Sequence, residues 1–298
     1  MKSAIKRRDQ INGMLFTSPV IVGLLLFTGY PILASLYYSF CNFPGLRPPV
    51  WIGMGNYLQL IKDPLVTKSL LNTAAYAAGS VPAGIAVAFV LALLLNQPVR
   101  GIAVFRTIFY LPSIVPAVAS SVLWLWVFNP QYGLLNGVLG LFGINGPGWM
   151  ADPVWAKPAL IIMSTWGVGG TMIIFLAGLQ DVPREMYEAA EIDGASDLQQ
   201  TAHITLPFMS PHIFFAFIMG LIGASQYFTQ AYIMTGGAGS PANSTLFFAM
   251  YLFQNAFHFF KMGYACAMAW LLFLLTLIAT IVVFKSTARY VYYQGDNQ

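Results

Sequence analysis

Charge is scarce in this chain. Only 8% of its 298 residues are Asp, Glu, Lys or Arg, against roughly 25% in a water-soluble domain, which excludes a fold that faces water on all sides. Cysteine is scarcer still. Cys41 and Cys266 lie far apart in sequence, so neither a disulfide framework nor a cysteine zinc site is indicated. His203, His212 and His258 stand in no HExxH-type spacing, so no metal site is expected. A GxxxxGK[ST] phosphate loop is missing. The glycine-rich "WGVGG" (166–170) lies inside an apolar run and reads as close helix packing or as backbone beside a passing ligand. No carboxylate pair and no Ser/His/Asp set is arranged for catalysis, so no catalytic residue or cofactor is assigned to this chain. The one tight basic cluster, Lys6-Arg7-Arg8, adjoins an apolar run; it reads as setting membrane orientation, not as binding nucleic acid.

Hydrocarbon fills the space that charge leaves: 58% of residues are hydrophobic and the mean hydropathy is +0.69. A membrane-crossing helix needs ~20 mostly apolar residues. Six segments qualify, at about 14–40, 72–95, 105–128, 156–179, 208–234 and 263–284. The expected class is an all-α integral membrane protein, with an amino-terminal tail 1–13, a six-span domain 14–285 and a carboxy-terminal tail 286–298. The first run is too long for a signal peptide, and no small-x-small cleavage site follows it, so it reads as a retained anchor. With the amino terminus inside, nine Lys and Arg fall on the inner side and five on the outer; this bias places both termini in the cytoplasm. None of the six segments contains Asp or Glu. Carriers driven by protons or sodium usually keep ionisable groups in the membrane, so energy for active transport is expected to arrive from outside it. Pro112 and Pro116 interrupt the third segment, as a packing kink or as part of a lined path.

The carboxylates are elsewhere. Residues 181–197 hold Asp181, Glu185, Glu188, Glu191, Asp193 and Asp197, six of the ten acidic residues, with Arg184 as the one cation. "PREMYEAAEID" (183–193) predicts a short helix, with Pro183 at its first position and Gly194 in a left-handed cap. "SDLQ" (196–199) matches a capping box, so a second helix is expected to start there and to stop before Pro207. Ala189 and Ala190 leave a smooth surface where another backbone can come close. Six acids on a helix–turn–helix read as a docking knob.

"EAAEIDGASDLQQTAHITLP" (188–207) resembles the EAA motif of binding-protein-dependent ABC importer permeases: Glu188-Ala189-Ala190, Gly194 and Ile204-Thr205-Leu206-Pro207 all fit its pattern. "GLQDVPREMYEAA", "FNPQYGLLN" (128–136), "FRTIFYLPSIVP" (105–116) and "MTGG" (234–237) extend the resemblance over nearly the whole chain. It is greatest to the first membrane subunit of carbohydrate importers, the group of the maltose, lactose, glycerol-phosphate and alginate permeases. The resemblance implies a type I importer permease in a bacterial inner membrane, with a permease core over about 69–285 and a cytoplasmic coupling loop over 181–207. Implied partners are a second homologous permease, two ATP-binding subunits that hold ATP and Mg, a solute-binding protein, lipid and a carbohydrate. Glu188, Ala189, Ala190, Asp193, Gly194, Ile204, Leu206 and Pro207 would then form the ATPase-coupling surface, with Glu188 the charged contact. The chain lacks the extra amino-terminal spans and the large inserted domain of the maltose example.

For the solute path, Ser113 sits between the two prolines, Ser164 and Gly167 share a face of the fourth segment, and Gly223, Gln226 and Gln230 share one of the fifth. Trp124, Trp166 and Tyr227 are candidates to stack on sugar rings. Gln226 is the leading candidate, since an amide in an apolar helix is costly without a role. The path lacks Lys and Arg, which favours a neutral sugar over glycerol phosphate or a charged oligosaccharide. A stand-alone channel or carrier is the reading from another class.

Overall fold

The computed structural model describes residues 2–287. Helices α1 (Lys2–Leu24) and α2 (Tyr30–Ser39) are joined by a π turn, Leu25–Gly29. After a two-strand ribbon, β1 (Cys41–Asn42) and β2 (Val50–Trp51), come α3 (Gly55–Lys62) and the long α4 (Pro64–Leu95). Then follow α5 (Ile102–Ile114), α6 (Ala117–Val127), α7 (Leu134–Leu141), α8 (Ala156–Trp166) and α9 (Gly169–Gln180). The acidic stretch forms α10 (Arg184–Ile192) and α11 (Asp197–Gln200), and a second π turn, Thr201–Thr205, leads into α12 (Leu206–Ser225). Last are α13 (Thr229–Met234), α14 (Phe248–Phe253) and α15 (Met262–Thr287).

Four helical rods are long and apolar enough to cross a membrane: Asn12–Ser39, Pro64–Leu95, Asp197–Ser225 and Met262–Ser286. The number rises to six if the bent pairs α5–α6 and α8–α9 each count as one span. Residues expected as an amino-terminal tail are helical from Lys2 and run unbroken into the first rod. The expected carboxy-terminal tail from residue 288 on, with Arg289, lies outside the described residues, as do the side chains of Lys6-Arg7-Arg8.

Proline shapes the helices at three places, Pro31, Pro116 and Pro207. A helical proline lacks the N–H for its i−4 bond, and its ring presses on that carbonyl. Each of the first two π turns ends two residues before a proline, Leu25–Gly29 before Pro31 and Thr201–Thr205 before Pro207. The wider turn makes room for the ring, and the helix continues. Pro207 therefore does not stop the helix, contrary to the sequence expectation: the rod runs from Asp197 to Ser225. Pro116 acts differently. The residue before a proline is pushed out of the α region, and Val115 is extended (φ −68, ψ 129). The third segment is thus not a kinked rod but two helices bent by 99°. The fourth bends by 49° at Gly167–Val168. The fifth ends at Ser225, short of the expected 234, and α13 resumes only after a break at Gln226–Phe228.

The chain divides into two compact units. In the unit made by the chain up to Asp63 and by Leu252–Leu271, buried Asn56 donates its Nδ2 to the carbonyls of Ser39 and Cys41, both at 2.9 Å. Tyr57 and Ser39 share a hydroxyl contact at 2.8 Å, and the Tyr264 hydroxyl donates to Asp63 at 2.8 Å. Neither α3 nor this ribbon was among the elements expected from the sequence.

In the other unit, Pro64–Tyr251 with the chain from Leu272 on, the core lies between α4, α9 and α12. Ala88 and Ala92 on α4 meet Met172, Phe175 and Leu176 of α9 and Met209 and Ala216 of α12. Small residues on the middle helix let long ones interdigitate, the main source of attraction where lipid is as apolar as the core. Arg106 closes the α4–α5 turn by donating Nε and Nη2 to the Leu95 carbonyl, at 3.2 and 2.8 Å. That fills an acceptor left open at the helix end.

Gly169 brings α9 against α5. A side chain there would meet the Phe109 carbonyl and the Tyr110 Cα at 2.8 Å, whereas Gly170 faces open space. Gly169→Ala is expected to cost about 1–3 kcal/mol through overpacking and to lower the melting temperature of the detergent-solubilised protein. Gly170→Ala should leave it unchanged in the same melting assay.

Candidate functional site: a hydroxyl-lined cavity and an acidic helical turn

The helix breaks converge on one cavity of about 480 Å³. Tyr76, Ser80 and Gly84 of α4 form one wall at i, i+4, i+8 spacing. Ser113 and Ser120 face it from either side of the 99° bend. Ser164, Trp166, Gly167 and Thr171 line it around the 49° bend, and Gly220, Gly223, Tyr227 and Gln230 around the third break. Interrupted helices explain this location. Unpaired backbone groups are tolerated at membrane depth only where protein or a water-filled cavity satisfies them. The polar groups of the lining side chains are hydroxyls, the Gln230 amide and the Trp166 indole, and none is charged.

The Tyr76 and Tyr227 rings stack with centroids 4.2 Å apart, and Phe247 packs edge-on to both at 5.4 and 5.3 Å. Tyr227 was expected to offer its face to a sugar. Tyr76 stacks over one face of it instead. Trp124 does not line the cavity; it packs edge-on to Trp166 at 6.1 Å and beside Phe128 at 4.9 Å. Trp166 is the one tryptophan in the lining.

Ser113, Ser164, Gly167, Gly223, Tyr227 and Gln230 are thus brought together. Gln226, the leading candidate from sequence, is not among them. Its backbone (φ −103, ψ 16) sits in the break after α12, so the helical spacing that aligned it with Gly223 and Gln230 does not exist there. Sequence reasoning missed Tyr76, Ser80, Ser120 and Thr171. The four-residue spacing of Tyr76, Ser80 and Gly84 was a usable signal. The two glycine readings of 166–170 both have a place: Gly169 packs against α5, and Gly167 lines the cavity.

The acidic stretch forms a helix, a glycine turn and a second helix. Pro183 is the cap before α10 (φ −61, ψ 130), one residue earlier than expected. Gly194 has φ +77. Its N–H bonds to the Glu191 carbonyl at 3.0 Å and that of Ala195 to Ala190 at 2.9 Å, the paired bonds of a Schellman end. Ser196 and Gln199 close a capping box. Tyr187 and Thr205 join hydroxyls at 2.8 Å, fastening α10 to the root of α12. Glu188 and Ala189 are exposed and Ala190 half-exposed. Asp193 is exposed, whereas Ile204 is buried and Leu206 exposed. Ile192 and Leu198 are 87% and 82% exposed, so apolar surface accompanies the acids. Ala190, Asp193, Gly194 and Ile204 line a notch between the two helices.

Residues 80–291 match the model of the family described as binding-protein-dependent transport system inner membrane component. The chain belongs to this family. "Probable ABC transporter permease protein YesP" of Bacillus subtilis (strain 168) is 39% identical over 100% of this chain and 97% of its own length. The lactose transport system permease protein LacF of Rhizobium radiobacter is 37% identical over 95% and 96%. The trehalose/maltose transport system permease protein MalF of Thermococcus litoralis is 31% identical over 96% of each. A chain of the bacterial alginate ABC transporter, solved in complex with an alginate pentasaccharide-bound periplasmic protein, shares the fold with a TM-score of 0.82 over 97% of each chain at 21% identity. This permease is therefore an all-α, multi-pass inner-membrane protein of the ABC importer type.

The cavity sorts the two glutamines. Gln230→Leu in the permease should lower solute uptake about fivefold, the equivalent of one hydrogen bond worth ~1 kcal/mol. Gln226→Leu should leave uptake by membrane vesicles unchanged.

Proposed function

We propose that the permease forms half of the translocation path of an ATP-driven carbohydrate importer and transmits ATPase closure to that path through residues 181–207. The observation that carries this reading is the pairing of the two sites on the same helices. α9 and α12 flank the acidic turn, and both wall the cavity, through Thr171 on α9 and Gly220 and Gly223 on α12. At 1.5 Å per residue, the 12-residue α9 makes a strut of about 18 Å between them. A partner that grips the turn moves the cavity walls.

In this reading a second, homologous permease supplies the other half of the path. Two ATP-binding subunits hold ATP and Mg, and no nucleotide chemistry falls to this chain. An extracytoplasmic binding protein delivers the solute. Both termini and the 181–207 loop face the cytoplasm, following the excess of Lys and Arg on that side. Glu188 is the charged contact. Ala189 and Ala190 allow close approach, Asp193 and Gly194 shape the notch, and Ile204, Leu206 and Pro207 root the turn in α12. The domain division is a permease core over about 69–285, preceded by one further span. A hydroxyl and amide lining favours an uncharged sugar, because a carboxylate or phosphate without a cation would lose its hydration uncompensated. The sugar-specific names of LacF and MalF agree with a carbohydrate cargo.

The experiment is a pull-down of detergent-solubilised, carboxy-terminally tagged permease, with co-purifying proteins identified by mass. A second permease and an ATPase should be recovered, and Glu188→Arg should lose the ATPase alone. Gly194→Val should weaken the same contact, since left-handed backbone costs an L-residue about 1–2 kcal/mol and a β-branched one more. Gly194→Asn should retain it, as Asn accepts that region. Recovery of the chain alone, still moving solute in vesicles, would establish a stand-alone carrier instead.

A further inference from the structure

One polar cluster of the larger unit has no part in the lining described above. Asn72, on α4 one turn before Tyr76, is 2% exposed. Its Nδ2 donates to the carbonyls of Asn243 at 2.8 Å and Leu246 at 3.0 Å, and its Oδ1 accepts from the Lys157 ammonium of α8 at 3.0 Å. The carboxamide therefore uses both donors and its acceptor. The next residue, Thr73, accepts the Phe248 N–H on its hydroxyl at 3.0 Å. Between the two anchor points lies Phe247, wholly buried, wedged edge-on against the stacked Tyr76 and Tyr227. Tyr76 is the lining residue nearest the start of α4, and Tyr227 lies in the break that ends α12. The aromatic trio thus stands at one end of the cavity, and the segment 243–248 that supplies its wedge is held by side chains of adjacent residues.

We infer that Asn72 is a positioning residue for solute entry: with Thr73 and Lys157 it latches segment 243–248 to α4 and α8, so that Phe247 keeps the Tyr76–Tyr227 pair shut. The latch suits this task chemically. Its partners are backbone carbonyls and one amide N–H, so release exchanges hydrogen bonds with entering water and a polyhydroxy solute and leaves no carboxylate stranded. Only Lys157 is ionic, and its partner is the neutral amide. Opening at this end lets solute reach the hydroxyl lining while the rest of the wall stays packed. Which side of the membrane this end faces rests on the orientation proposed above, where the start of α4 is extracytoplasmic.

The test places a reporter cysteine at Gly223, which lines the cavity and has open space at its Cβ. Labelling by a membrane-impermeant maleimide is measured in vesicles holding the permease with its partner subunits, without ATP, above the background of Cys41 and Cys266. Asn72→Leu should raise the labelling rate of Gly223→Cys about tenfold in right-side-out vesicles, which corresponds to ~1.4 kcal/mol of lost latch energy. Inside-out vesicles should show no change. Thr73→Val, which removes the Phe248 contact together with the local bond from the Thr73 hydroxyl to the Ser69 carbonyl, should raise it about threefold and is read on its own where Asn72→Leu does not insert. An unchanged rate in an inserted variant overturns the inference. So does an equal rise from both sides, which marks general loosening. A rise confined to inside-out vesicles supports the latch and reverses the proposed orientation. Co-purification from the same membranes reports separately on the importer reading.

Discussion

Inside a bilayer each backbone donor and acceptor must find its partner within the protein, and that constraint shapes this permease more than any single contact. With 18 prolines and 27 glycines, the chain opens its hydrogen-bond ladder repeatedly. It does so in two ways. At Pro31 and Pro207 a π turn precedes the proline and the helix continues, at Leu25–Gly29 and Thr201–Thr205. Elsewhere the helix breaks outright, at Val115–Pro116, Gly167–Val168 and Gln226–Phe228. All three breaks fall on the one cavity. The backbone groups they free and the serines beside them need the same thing, a polar interior, and the cavity supplies it to both.

The acidic turn obeys the opposite economy. It satisfies its own backbone locally, through the Schellman bonds at Gly194 and the capping box at Ser196. Its carboxylates and the side chains of Ile192 and Leu198 are left facing outward. A surface that keeps its shape without a partner loses little conformational entropy when one arrives. The Tyr187–Thr205 contact then makes the turn continuous with α12. The same helix reaches the cavity at its other end, through Gly220 and Gly223.

Much of this was legible in the residues, but unevenly. The helix–glycine–helix was legible because caps are local: Gly194, Ser196 and Gln199 lie within five positions of one another. Membrane segments were legible from length and hydropathy alone. The path was less so. Helical spacing placed Gln226 beside Gly223 and Gln230, and the spacing failed because the helix ends one residue before Gln226. Tyr76 and Phe247 are 171 positions apart, so nothing local announces that Phe247 packs edge-on to the stacked tyrosine pair. Pro207 misled for a related reason: a stop signal in sequence is only a strained carbonyl in space, and a widened turn relieves it.

A π turn is in effect a helix with one residue inserted. Removing one residue from Thr201–Thr205 would restore ordinary α geometry and turn everything beyond it by about 100° relative to the acidic turn. Met209 and Ala216 would leave the core, and Pro207 would press on its carbonyl once more. Substitutions in this stretch are therefore a milder matter than changes in its length. On this geometry the segment from Gly194 to Pro207 should act as a fixed-length spacer, and insertions and deletions among related chains should gather in the loops between the rods, away from it.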